Sequence, residues 1–87
     1  MVFITHHAEK RASERFGWTW SHLYDQANKS VSDGLLIIDD PFLMELFKYT
    51  LEYRPNAILY MYKGAIFVFC DDRLVTIFPI DGRYSKI

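Results

Sequence analysis

Between Ile4 and Trp18 the chain reads ITHHAEKRASERFGW, and five side chains able to carry positive charge, His6, His7, Lys10, Arg11 and Arg15, fall within ten consecutive positions. On a helix, His7, Arg11 and Arg15 stand at i, i+4 and i+8 and form one stripe that drifts only about 40° per step. Such a stripe is a minimal kit for metal-free cleavage of RNA by its own 2′-hydroxyl. In the first helical turn, beside Lys10 and Arg11, imidazolium is disfavoured, so a neutral His7 can take a proton as a general base must. The two arginines can hold a phosphate by paired N–H bonds and stabilise charge that develops on it. The same spacing also suits an ordinary solvated face, with Glu14 in reach of Lys10 and Arg11. His6 projects about 100° away from His7 and is expected in solvent.

The element that must carry this stripe is a first helix with Thr5 as its N-cap, running to about Phe16 and stopped by Gly17. Ala8, Ala12 and Phe16 make the neighbouring stripe and should face the core. A second helix, capped by Thr19, runs to about Val31, since Trp20, Leu23, Tyr24, Ala27 and Val31 recur at helical spacing. Ser32-Asp33-Gly34 ends it, and Leu35–Ile38 follows as a short buried strand. In DDPFLMELFKYTLEYRP, Asp40 and Pro41 read as cap and first helical position, predicting an extra helix over about 41–52, although Phe47–Arg54 also alternates in strand fashion.

Ala57–Tyr62, Ala65–Cys70 and Leu74–Phe78 are β-rich runs separated by Lys63-Gly64 and Asp71-Asp72, the pattern of an antiparallel meander. A two-residue loop at Asp71-Asp72 pairs Cys70 with Arg73, Phe69 with Leu74 and Phe67 with Thr76. One face then carries Phe67, Phe69, Leu74, Thr76 and Phe78, the other Ile66, Val68, Cys70, Arg73, Val75 and Ile77. Both faces are apolar, so both are expected to be covered, or one meets a partner. The fold class is α+β: two N-terminal helices on one side of a small antiparallel sheet of about four strands, in a single domain over 1–87.

Composition limits what this domain can do. Its 87 residues suffice for one modest core, and half are hydrophobic. No apolar run approaches the roughly 20 residues that span a bilayer, and no signal-type segment opens the chain, so a cytoplasmic protein without membrane contact is expected. The net charge of −1 hides a gradient: residues 1–29 carry four Lys/Arg against three acids, 30–72 three against seven, and 73–87 three against one. Contact with nucleic acid must therefore be local. The lone Cys70 excludes an internal disulfide and a multi-cysteine zinc site, and its place inside an apolar strand-like run predicts a buried thiol rather than a nucleophile.

Other chemistries lack their residues. Asp39-Asp40 and Asp71-Asp72 are adjacent carboxylates that cannot readily chelate one ion from a strand, and turn or cap roles explain both. His22 has no ligand at metal spacing. No metal or cofactor is expected, and nothing supports a phosphate loop, a serine-hydrolase elbow or a zinc-protease motif.

Thr5-His6-His7-Ala8 through Arg11, Arg15, Phe16 and Gly17 reads T-x-H-A-x-x-R-x-x-x-R-F-G, and the meander closes on Val75-Thr76-Ile77-Phe78-Pro79. This pairing resembles small bacterial and phage proteins placed near the RelE-type ribonuclease toxins, within the barnase, EndoU, colicin and RelE fold group. The likeness covers most of the chain apart from residues 39–55. It implies two N-terminal helices on a four-stranded antiparallel sheet. It also implies a metal-independent ribonuclease or RNA-binding domain in which His7, Arg11, Arg15, Thr76 and Tyr84 are catalytic candidates. Lys10, Arg11, Arg15, Arg73, Arg83 and Lys86 are the corresponding phosphate contacts. The slight net acidity departs from the basic character of such toxins.

The alternative is a protein-binding module that keeps the fold without catalysis, such as a phage- or mobile-element-encoded inhibitor of a host protein. Its partner would be a host target, a cognate antitoxin or a second copy in a homodimer. The acidic middle and the aromatic excess motivate it. Arg15 separates the two readings: it is either a phosphate clamp or a structural anchor, for which an ion pair with Glu45 or Glu52 is the expected form.

Overall fold

A computed structural model describes residues 2–81 and 83. Helix α1 spans His6–Phe16, with the Thr5 hydroxyl accepting the amide of Ala8 and Gly17, left-handed at φ 69°, donating its own amide to Ser13. Helix α2 spans Trp20–Asp33 and begins in the same way, with the Thr19 hydroxyl accepting from the amide of His22. It ends at Gly34, whose amide donates to the Ser30 carbonyl. A Cβ on Gly34 would meet that carbonyl oxygen at 2.3 Å and the Met61 oxygen at 3.0 Å, so the close approach requires glycine.

Among the described residues five strands form one sheet: β1 (Phe3–Ile4), β2 (Leu35–Leu36), β3 (Ala57–Tyr62), β4 (Ala65–Cys70) and β5 (Arg73–Pro79), in the spatial order β1-β5-β4-β3-β2. The expected α+β class and three-stranded meander are present. β1 is an addition that the sequence did not reveal, and it lies parallel to β5, with Phe3 opposite Arg73 and Ile4 opposite Leu74. Lys63 and Gly64 both take positive φ, 51° and 77°, as a tight two-residue hairpin turn demands.

The expected register holds at its first two pairs, Cys70 with Arg73 and Phe69 with Leu74, and then slips. Thr76 stands opposite Val68 and Phe67 opposite Ile77, because a bulge leaves Val75 as an extra residue. One inserted residue reverses the faces of everything that follows. Ile77 therefore joins the core beneath α1 and α2, and Phe78 joins the other side.

Alternation along β4 divides the interior into two cores. Ala65, Phe67 and Phe69 pack with Ala8, Ala12, Leu23, Ala27, Leu74 and Ile77 under α1 and α2. Ile66 and Val68 pack with Leu59, Met61, Ile37 and Leu43 on the opposite face. That second face is covered by a 3-10 turn (Ile37–Asp39) and two short helices, α3 (Pro41–Leu46) and α4 (Lys48–Tyr53). Helices thus lie on both sides of the sheet, not on one. The anticipated helix over about 41–52 is present as this pair, interrupted at Phe47, whose ring packs against Phe78 at 5.8 Å. Asp40 caps α3 by accepting the amides of Phe42 and Leu43, and Pro41 occupies the first turn.

Candidate functional site

The N-terminal helix presents its charged stripe as spacing dictates, since Ala8 and Ala12 are buried and Phe16 packs against the core beside them. The stripe's members, however, have different occupations. Arg15 donates from Nη1 to the main-chain oxygen of Ile77 at 2.8 Å. Arg11 pairs with Glu14 one turn on, through Nη1 and Oε1. His6, His7 and Lys10 are exposed, and no hydrogen bond or ion pair engages their side chains among the described residues.

The strand candidates lie elsewhere. Arg73 and Thr76 stand opposite Cys70 and Val68, so both belong to the sheet face that α3 and α4 cover, across the sheet from α1. The sheet itself separates them from His7. Arg83 forms a chelate with Asp81, Nη2 to Oδ2 at 3.0 Å, and its hydrogen bonds hold the Asp81 carboxyl below the usual carboxylate range. Tyr84 and Lys86 lie outside the described residues. The expected anchoring ion pair of Arg15 with Glu45 or Glu52 is replaced by the Ile77 carbonyl, while Glu45 pairs with Lys48 at 2.9 Å.

The remaining polar candidates have structural positions. His22 meets the Trp18 ring edge-on at 4.8 Å, and Asp71-Asp72 forms the β4–β5 turn. Cys70 is half-buried and not buried as expected, because it ends its strand beside the exposed Asp71-Asp72 turn. Among the described residues no group of three or more His, Cys, Asp or Glu side chains could hold a metal. None of their helices is long and apolar enough to cross a membrane.

A further apolar surface, not singled out by the charged spacing on α1, is the outer face of the third layer. Phe42, Leu46, Tyr49 and Tyr53 recur at i, i+4, i+7 and i+11 and are all exposed, Tyr49 at 73% and Tyr53 at 82%. Leu43, Phe47 and Leu51, at i, i+4 and i+8, form the inward stripe. A segment apolar on both sides of its helix has more hydrophobic surface than one sheet can cover, which was the signal available in the sequence. The acids of this layer are Asp39, Asp40, Glu45 and Glu52. Asp40 is the cap and Glu45 is paired with Lys48, while Asp39 and Glu52 point to solvent.

No protein-family model, curated protein or solved structure matches this chain.

Proposed function

We propose that this chain is a protein-binding module that acts by contact and not by catalysis, with the outer face of α3 and α4 as its interface. The exposed aromatic and aliphatic row Phe42, Leu46, Tyr49 and Tyr53 is the observation that carries this reading. Interfaces are enriched in aromatic anchors, and tyrosine supplies contact area at a low cost in conformational entropy. The division of labour on α1 supports the same conclusion: Arg15 is taken up by a main-chain oxygen, Arg11 by Glu14, and Arg73 and Thr76 lie across the sheet. The reading accommodates an inhibitor of a host protein, an antitoxin-bound protein or a homodimer. The test is affinity capture with the full chain and with Tyr49→Ser/Tyr53→Ser, with and without nuclease. Nuclease-resistant capture of one protein, lost in the double variant, is expected; capture that survives the double substitution would refute this interface.

A second reading, local RNA binding or metal-independent cleavage at α1, is favoured by the exposed and unengaged His7 and Lys10 beside Arg11. Its test uses labelled RNA in EDTA. Cleavage that disappears in His7→Ala, or binding that weakens steeply between about 50 and 200 mM salt, would support it. Equal behaviour of wild type and His7→Ala/Lys10→Ala removes it.

A further inference from the structure

An apolar cleft of about 460 Å³ opens between α4 and the sheet. Its upper wall is Met44 and Leu51, its floor Ile37, Ala57 and Leu59, and Ile38 stands at its mouth. The opening has a local cause. Helix α4 buries none of its six residues fully and is seated on the second core only through half-buried Leu51, whereas α3 is seated through fully buried Leu43. The cleft is open on one side, and a cavity of roughly 150 Å³ lined by aliphatic groups is already enough to take benzene.

From this geometry we infer that the cleft is a binding site for a small uncharged hydrophobic molecule, of about the size of two or three fused or linked rings. Among the described residues no charged side chain lines it, and the ring of Tyr60, which borders it through β3, packs on the other face of the sheet against Phe69. A charged ligand would lose hydration there without a counter-ion. The charged side chains adjacent in sequence to the lining residues do not enter the cleft. Asp39 adjoins Ile38 and Glu52 adjoins Leu51, both exposed, while Arg54 is drawn over the Tyr53 ring at 5.7 Å. The site faces inward from α4, so it stands independently of the protein interface proposed for the outer row.

Two probes that share one body test the inference: N-phenyl-1-naphthylamine, which is neutral, and 8-anilino-1-naphthalenesulfonate, which adds a sulfonate. Fluorescence titration of the full chain should give saturable one-to-one binding, tighter for the neutral probe. Ala57→Leu fills the floor and Leu51→Trp fills the roof, and each should weaken neutral-probe binding by about tenfold or more. Circular dichroism identifies a variant that fails to fold, and the other then decides. Trp20→Ala, which removes an exposed aromatic on α2, should leave binding unchanged and so excludes adsorption to any apolar surface. Non-saturating binding, preference for the sulfonate, or indifference to the filling substitutions would each overturn the site.

Discussion

Arg15 and Ile77 are joined by a hydrogen bond of 2.8 Å from the guanidinium to a main-chain oxygen, across 62 positions of sequence. The bond closes one end of a clasp between α1 and β5. At the other end, the Thr5 amide and hydroxyl both donate to the oxygen of Leu74, at 3.2 and 2.8 Å. The bulge makes the clasp possible. Along the outer edge of β5 the oxygens of Asp72 and Leu74 accept from Phe3 and Thr5, and the extra residue Val75 shifts the next outward oxygen from Thr76 to Ile77. Beyond the two residues paired with β1, Arg15 thus occupies an edge that would otherwise be open to a foreign strand.

Arg15→Ala is expected to lower stability by about 1 kcal/mol, the usual worth of one partly solvated hydrogen bond, and so to lower Tm by ~4–8 °C. Arg15→Lys should recover part of the loss, because a single N–H to a carbonyl does not need the planar fork. Thermal melts of both variants check this. Unchanged stability in Arg15→Ala would return the side chain to the pool of candidate ligand contacts.

Leu43→Ala should cost ~2–5 kcal/mol, since Leu43 is fully buried and is the residue through which α3 is seated on the sheet. The loss should be uneven. In hydrogen exchange, amides of α3 and α4 should lose protection before those of α1 and α2, which pack on the opposite face. Uniform deprotection would indicate that the two cores unfold as one.

Gly34→Ala should be destabilising by at least ~1–3 kcal/mol although its φ of −77° suits any residue. The added carbon would press on the main-chain oxygens of Ser30 and Met61, neither of which can yield without moving α2 or β3. Urea denaturation measures the effect, and a neutral result would show that the α2–β2 junction can open.

Tyr49→Ser/Tyr53→Ser should change stability by no more than about 0.5 kcal/mol per site, as for other exposed positions, while abolishing capture of the partner. Chemical denaturation run beside the capture assay separates interface loss from unfolding. A large fall in stability would mean that these rings pack on the domain itself.

What the sequence determined by itself was local. The ends of α1 follow from Thr5 and Gly17, the start of α2 from Thr19 and the start of α3 from Asp40-Pro41, because each cap is a hydrogen bond or a backbone conformation set within a few residues. The Lys63-Gly64 turn and the inward Ala8/Ala12 stripe are legible for the same reason. Only tertiary structure decided the rest. Phe3–Ile4 is a strand because Arg73 and Leu74 lie beside it, a pairing of two residues with no periodicity to show. Leu74–Phe78 is apolar in both alternating frames but for Thr76, so no pattern in it could locate the bulge or choose between Ile77 and Phe78 for the α1 side. Arg15 has the same spacing whether it meets a phosphate, a carboxylate or a carbonyl. Its partner is a main-chain oxygen, which every residue possesses and no side-chain pattern encodes, and the fold alone brought that oxygen within reach.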